Sequence, residues 1–192
     1  MKLPEGVEWG LHCAAHIAQH AELGPVTRRQ LAEQFGLPEA YLAKHLQAMV
    51  RAGLLTATPG PKGGFRLARK VEEITALDII EAIDGAASPF VCQEIRQRGL
   101  GAADPAECQR PCAVSAIMAG AHQAWRTQLK KVSLAQIVRS IPPAVRDRAA
   151  ATRATTTRAA ATQASITNRP APPASGQLPG EWSLLPDHSA AN

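Results

Sequence analysis

Apolar residues recur three and four positions apart along most of the first 132 residues, which is the spacing of amphipathic α-helices. In the first segment the pattern consists of Val7, Leu11, Ala14 and Ala18. Over the whole region it predicts helices at 5–21, 28–35, 38–52, 75–83 and 113–132. The fold is therefore predicted to be mainly α-helical.

A short turn separates the second and third predicted helices. Thr27 can cap the second helix, Gly36 can end it, and Pro38 suits the first turn of the third. The third helix would bury an apolar face that includes Leu42 and Leu46. Two helices with this spacing are typical of a helix-turn-helix.

Two short strands are predicted after the helix-turn-helix, at 54–57 and 65–67. The loop between them is too rich in Gly and Pro for a helix, so the pair predicts a β-hairpin wing. The tail is rich in Ala, Thr, Pro and Ser and lacks apolar periodicity. The predicted organisation is a winged-helix domain over 1–88, a cysteine-containing loop over 89–112, a long C-terminal helix over 113–141 and a mostly disordered tail over 142–192.

Charge is distributed unevenly along the chain, whose total net charge is +5. Residues 27–70 carry eight basic side chains against two acidic ones, a balance of +6. Residues 71–112 carry eight acidic side chains against three basic ones, a balance of −5. A basic module beside an acidic one suggests a head that binds a polyanion and a separate regulatory segment, although a solvated charged surface gives similar counts.

No segment of the chain resembles a secretory signal peptide or a membrane-spanning helix. The first residues contain no apolar stretch of signal-peptide length, and no later segment reaches the ~20 apolar residues that a membrane helix needs. We therefore expect a cytoplasmic protein without a membrane partner.

Three of the four cysteines, Cys92, Cys108 and Cys112, lie close together in the sequence. In a reducing compartment such a cluster suggests metal or redox chemistry. From the residues alone, the three thiols could bind zinc, form a metal-free thiol switch or hold part of an iron-sulfur cluster. The tight Cys-x-x-Cys knuckle that is usual for zinc is absent. Cys13 lies beside apolar helix positions and is predicted to be an inert core thiol.

The helix-turn-helix and wing together predict binding to a double-stranded DNA operator, because one helix of this motif enters the major groove while the hairpin reaches a flanking groove or the backbone. The candidate contacts are Tyr41, Lys44 and His45 on the third helix, Arg28 and Arg29 on the second, and Lys62 and Arg66 in the wing. A winged helix that docks another protein remains the alternative.

Glu8 and His12 lie four residues apart on the first predicted helix and therefore share a face. They could chelate one metal together. Judged from the residues alone, a weak surface ion pair near the helix N-terminus is the favoured interpretation.

Several segments carry a resemblance to a known family. They are Glu39-Ala-Tyr-Leu-Ala-Lys44, Arg51-Ala-Gly-Leu-Leu55, Gly60-Pro-Lys-Gly-Gly-Phe-Arg-Leu67, and Glu73-Ile-Thr75 with Asp78-Ile-Ile80. Over about residues 1–140 the chain resembles the IscR and NsrR family of iron-sulfur repressors. Two further strings, Val7-Glu-Trp-Gly-Leu-His-Cys13 and Phe90-Val-Cys-Gln-Glu-Ile-Arg-Gln-Arg-Gly99, are similar to the RsrR type of redox sensor within this family.

The resemblance implies a homodimer with a two-iron two-sulfur cluster between its subunits and a C-terminal dimerisation helix that crosses to the partner. It implies as ligands Cys92 and Cys112 of one subunit with Glu8 and His12 of the partner, which outweighs the ion-pair interpretation. Cys108 is the alternative ligand. Other members use three closely and evenly spaced cysteines, whereas fifteen residues separate Cys92 from Cys108 here and three separate Cys108 from Cys112.

The function implied by the resemblance is a transcription repressor whose operator affinity depends on the redox state of the cluster. Trp9 lies beside Glu8 and is large enough to couple the cluster to a neighbouring surface, with a packing anchor for the first helix as the alternative. The glutamate that cluster-assembly regulators carry on the recognition helix is replaced by Ala43, so their operator sequence does not transfer. A metal-free interaction module and a thiol-switch regulator are the alternatives. An enzyme is not expected, because no Ser-His-Asp set, phosphate loop or HExxH motif occurs.

Overall fold

The computed structural model describes residues 3–60 and 63–167. The helices are α1 (Glu5–Gln19), α2 (Arg28–Phe35), α3 (Glu39–Arg51), α4 (Ala76–Asp84), α5 (Ala113–Lys130), α6 (Leu134–Ser140) and α7 (Pro143–Thr167). The strands β1 (Leu55–Thr58) and β2 (Gly64–Leu67) form an antiparallel hairpin. The described residues up to 156 form one compact unit, and residues 157–167 are the described part of a second. The predicted mainly helical winged-helix fold is confirmed.

Local capping determines where the helices of the DNA-binding half begin. The Thr27 hydroxyl accepts a hydrogen bond from the Gln30 amide at 3.1 Å, and the Gln30 side chain accepts one from the Thr27 amide at 2.9 Å. Thr75 and Asp78 form the same reciprocal pair at the start of α4. Gly36 ends α2 in the left-handed conformation with a φ of +64°, where a side chain would be strained.

The wing is attached to the body through a short bridge. Val26 and Phe65 exchange two backbone hydrogen bonds, of 3.0 and 2.8 Å, so the segment before α2 pairs with β2. A Cβ on Gly63 would collide with the Thr58 carbonyl, which explains why the turn into β2 needs glycine there. The base of the hairpin is therefore held against the helix-turn-helix.

Helix α1 lies at the centre of the core and contacts α3, α4, α6 and β2. Gly10 faces α4, and a Cβ there would make the terminal methyl group of Ile83 move. The largest fully buried side chains include Ile17, Leu31, Leu42, Leu46, Met49, Leu54, Ile74, Ile79 and Leu134. Cys13 is also fully buried, and burial raises the pKa of its thiol to about 12, as expected for an inert core cysteine.

The segment 113–141, predicted as one long helix, contains α5 and α6. The break occurs because Ser133 caps α6 in a reciprocal pair with Gln136, and because Ser133 forms a β-bridge with Thr75. Leu134 is completely buried, and its amide donates to the Ile74 carbonyl at 2.7 Å. Helix α6 thus returns to the core, which leaves α5 as the exposed helix of this segment.

Residues 143–167 are helical, whereas the sequence pattern predicted a mostly disordered tail over 142–192. The alanine-rich composition of this stretch supports a helix even without an apolar stripe, because alanine has the highest helix propensity. Ala149 and Arg153 are buried against residues of the main unit. The rest of the predicted tail, 168–192, lies outside the described residues.

Candidate nucleic-acid interface and cysteine loop

The solvent-facing side of α3 carries the candidate base-reading residues. Tyr41 is 67% exposed and Lys44 lies one turn further along the same face. Gln47 and Arg51 continue this face and are exposed, although they were not among the predicted contacts. Gln47 lies three residues after Lys44, and Arg51 lies four residues after Gln47; this helical spacing is the signal that could have identified them.

His45, another predicted DNA contact on α3, lies against α1. Its ring meets the Trp9 ring edge-to-face with centroids 5.8 Å apart, and a Cβ on Gly6 would collide with it. Burial lowers the pKa of His45, and the neighbouring Lys44 charge lowers it further. His45 therefore connects the recognition helix to the helix that carries Glu8 and His12.

The two arginines at the start of α2 are exposed and paired with glutamates. Arg28 lies 2.8 Å from Glu39, and Arg29 lies 2.7 Å from Glu33. Exposed ion pairs of this kind contribute only ~0–1 kcal/mol, so a phosphate can replace the glutamate at little cost. In the wing, Arg66 is exposed on β2, and Lys62 lies outside the described residues.

The cysteine loop before α5 is built around Arg96. This guanidinium pairs with the Glu94 carboxylate and donates to the Arg110 carbonyl at 3.0 Å. The hydrogen bond to Glu94 raises the pKa of Arg96, and the nearby Cys108 and Cys112 thiols raise it further. Both thiols therefore lie close to one cation.

The three loop cysteines differ in exposure and local role. Cys92 is exposed, while Cys108 and Cys112 are half-buried. Cys112 caps α5, since its Sγ accepts a hydrogen bond from the Ser115 amide at 3.3 Å. Its thiol is therefore held at the N-terminus of a helix.

Glu8 and His12 line an open groove of about 380 Å³ along α1, together with Leu3, Val7 and Leu11. Both side chains are exposed. Within the described residues of one subunit, no three His, Cys, Asp or Glu side chains lie close enough to hold a metal ion together. Thiolate, imidazole and carboxylate groups are nonetheless suitable iron ligands, so the donor chemistry fits a cluster shared between two chains.

Helix α5 presents an apolar surface to solvent. None of its residues is buried, and Val114 and Ile117 are 60% and 68% exposed. Met118 adjoins them, and the cysteine loop adds the exposed Ile95 and Leu100. Exposed apolar side chains at helical spacing, as on this side of α5, are typical of an interaction surface. In the described part of the chain, no helix is both long and apolar enough to cross a membrane.

A helix-turn-helix followed by a hairpin wing, with a polar exposed face on its second helix, defines a winged-helix regulator of transcription. Residues 3–140 match the model of the Rrf2 family, described as iron-dependent transcriptional regulators, and the chain belongs to this family. The family and the relatives below are named as regulators or by the family name, not as enzymes.

Three similar proteins illustrate the relationship. The protein Rrf2 of Nitratidesulfovibrio vulgaris is 33% identical over 94 residues, which cover 49% of this chain and 63% of that protein. The regulator IscR of Aliivibrio salmonicida is 32% identical over 92 residues, which cover 48% of this chain and 55% of that protein. The matched part thus spans less than two thirds of either relative.

Among solved structures, CymR, the global cysteine regulator of B. subtilis, superposes with a TM-score of 0.58 over 74% of this chain and 99% of that chain. The two are 23% identical, so this likeness supports the fold alone.

Proposed function

We propose that this chain is a homodimeric, DNA-binding repressor whose operator affinity is controlled by the redox state of a two-iron two-sulfur cluster held between the subunits. The observation that carries the proposal is the contact between Trp9 and His45. This contact joins the helix with the candidate ligands Glu8 and His12 to the helix that would read DNA. A change at the ligands can therefore reach the recognition helix through one packed pair of rings.

DNA binding is supported by the exposed polar and basic side chains of α2 and α3 and by the position of the wing beside them. The exposed side of α3 presents Tyr41 and Lys44, and Arg28 at the start of α2 is suitably placed for a phosphate. The wing is held beside these helices by the bridge between Val26 and Phe65. This is the arrangement in which one helix enters the major groove and the wing reaches the flanking backbone.

Operator affinity is expected to fall steeply with salt, because phosphate contacts release counterions. Arg28→Ala should weaken binding similarly for every DNA sequence and reduce the magnitude of the salt slope by about one.

Tyr41→Ala should instead change discrimination between operator variants by about tenfold at the base pair that Tyr41 contacts. Fluorescence anisotropy titrations over a range of salt concentrations measure both effects. Salt-insensitive binding would contradict the first expectation, and equal losses on all sequences would contradict the second.

A shared cluster is supported by where the candidate ligands lie. Cys92 and Cys112 flank the cysteine loop, while Glu8 and His12 line a groove on α1 with an apolar floor. The loop has exposed apolar side chains that could enter such a groove on a second copy. A bound cluster would supply a one-electron redox change. The protein would contribute two thiolates from one chain and, from the other, the harder carboxylate and imidazole ligands of Glu8 and His12.

Trp9 is proposed to transmit the redox state to DNA, because it lies next to Glu8 and contacts His45. We expect Trp9→Ala to leave the cluster's visible absorbance nearly unchanged while the affinities of the oxidised and reduced proteins for DNA become equal within about twofold. Trp9→Phe keeps an aromatic ring beside His45 and should retain most of the redox response. If Trp9→Ala keeps full redox control, the residue serves only in packing.

A thiol-switch regulator without iron is the second candidate, favoured by one observation. Cys108 and Cys112 both lie near the guanidinium of Arg96. Iron and sulfide analysis of anaerobically purified protein separates the candidates. Stoichiometric iron and sulfide support the cluster, whereas colourless, iron-free protein whose DNA binding responds to oxidant supports the thiol switch. A metal-free interaction module would show neither DNA binding nor iron.

A further inference from the structure

The turn at Gly24 and Pro25 is where three parts of the DNA-binding unit meet. It follows α1, and the next residue, Val26, is completely buried and pairs with Phe65 of the wing. Thr27 then caps α2. Any shift of this turn would therefore move the base of the wing relative to the helix-turn-helix.

Arg153 of α7 binds this turn from a position 128 residues further along the chain. Its Nη2 donates to the Gly24 carbonyl at 2.8 Å and to the Pro25 carbonyl at 3.2 Å. The side chain is only 4% exposed, so it contacts protein and not solvent. Helix α7 lies beyond residues 3–140, the part that matches the family model. The contact thus joins the part that matches the family model to a helix beyond it.

The surroundings of Arg153 make these hydrogen bonds important. A buried cation is costly unless it is hydrogen-bonded. His16 and His20 are both buried, and burial together with the Arg153 charge lowers the pKa of each, that of His16 to about 4. The carbonyls of the turn therefore provide acceptors on which the buried guanidinium depends.

Arg153 also lies near the wing itself. The charge of Arg66 on β2 lowers the pKa of Arg153, after the larger effect of burial. A Cβ on Gly24 would stand 3.7 Å from the Arg66 Nη2 atom, so guanidinium groups from α7 and from the wing flank the same turn. Since Arg66 is a candidate DNA contact, the position of this turn bears directly on the DNA-binding surface.

We infer that Arg153 is a positioning residue for DNA binding, which holds the Gly24–Pro25 turn and thereby fixes the wing and Arg66 relative to the recognition helix. The part of α7 that carries Arg153 then belongs to the DNA-binding unit. Arg153 does not contact DNA, because it is buried. The expected effect on operator affinity rests on the proposed DNA binding. The contact between Arg153 and the Gly24–Pro25 turn, called the tether below, can be measured without DNA.

Arg153→Met tests the inference in the full chain, because methionine keeps an unbranched side chain but removes the donors. We expect operator affinity to fall about tenfold and the magnitude of the salt slope to fall by about one, because the misplaced wing takes Arg66 away from the phosphate backbone. We also expect faster amide hydrogen exchange at Val26 and Phe65. Arg66→Ala should weaken binding in the parent protein but cost little more in Arg153→Met, because the wing is already misplaced. Arg153→Lys, which can still donate to both carbonyls, should restore most of the affinity.

Arg148→Met is the matched control, since it removes one arginine from the exposed side of the same helix. If Arg153→Met resembles this control in affinity and exchange, or if Arg66→Ala costs the same in both backgrounds, the inference is overturned. Should Arg153→Met fail to fold, the comparison of Arg153→Lys with the parent protein decides. Slightly faster amide exchange together with slightly weaker DNA binding supports the contact between Arg153 and the turn. Slower exchange than in the parent, or unchanged exchange with lost affinity, contradicts it. A parent protein that binds no DNA overturns the proposed function and the positioning role together, while exchange still reports on the tether.

Discussion

Alanine at Cys92 or at Cys112 is expected to abolish the visible absorbance of the cluster and at least nine tenths of the bound iron. Each substitution removes one of two thiolates, and the remaining carboxylate and imidazole are weaker ligands for iron-sulfur clusters. Redox control of DNA binding should be lost with the cluster. Anaerobic purification, absorbance spectra and analysis of iron and sulfide measure the effect.

Cys112 also caps α5, so its ligand role must be separated from its structural one. Cys112→Ser keeps an N-cap acceptor for the Ser115 amide but lacks the thiolate, and it should lose the cluster as completely as alanine does. Circular dichroism would show that α5 remains folded in this variant. A Cys112→Ser protein with normal cluster content would indicate that the thiol serves only as a cap.

Two further variants decide between this ligand set and three-cysteine ligation. Cys108→Ala should leave the visible spectrum nearly unchanged, whereas His12→Ala should destabilise the cluster or shift its reduction potential, because a nitrogen ligand raises the potential. A colourless Cys108→Ala protein beside a normally coloured His12→Ala protein would refute the assignment in favour of ligation by Cys92, Cys108 and Cys112.

A glutamate at Ile117 is expected to convert the dimer to a monomer and to lower operator affinity by at least a hundredfold. Ile117 lies on the exposed apolar side of α5, where dimerisation would bury it. Burying an unpaired carboxylate costs several kcal/mol, which is comparable with the stability that one apolar interface patch supplies. Analytical ultracentrifugation measures the mass, and DNA titration measures the affinity.

Gln123→Glu provides the matched control, because it adds the same charge to α5 on the side that faces α4. This variant should remain dimeric and bind DNA like the parent. Ile117→Glu should also lose the cluster, since the proposed ligands come from both subunits. A parent protein that is monomeric, or an Ile117→Glu protein that stays dimeric with its cluster, would contradict the proposed assembly.

Much of the winged-helix unit could be predicted because its signals are local. Thr27 with Gln30, and Thr75 with Asp78, lie three residues apart and cap their helices whatever the rest of the chain does. The apolar positions of α1 and α3 show their inward faces through spacing alone. The exposed side of α3, with Tyr41 and Lys44, follows from the same periodicity.

Other features depend on which elements meet in three dimensions. His45 has the position of a DNA contact by spacing, yet its ring packs on Trp9 and against Gly6, because α1 crosses α3 at this point. Arg153 carried no signal in the sequence, since its partners are the backbone carbonyls of Gly24 and Pro25 and backbone groups are the same for every residue type.

By itself, therefore, the sequence determined helices α1 to α5, the caps at Thr27 and Thr75, the hairpin and the inventory of chemically active side chains, since these depend on spacing within a few residues. Only the tertiary structure decided that 113–141 breaks into an exposed α5 and an α6 that returns to the core. It also decided that Glu8 and His12 line a groove apart from the cysteine loop, and that α7 holds the turn beneath the wing. These outcomes depend on contacts between residues far apart in the chain, and such contacts are selected by the packing of whole elements, which no local pattern records.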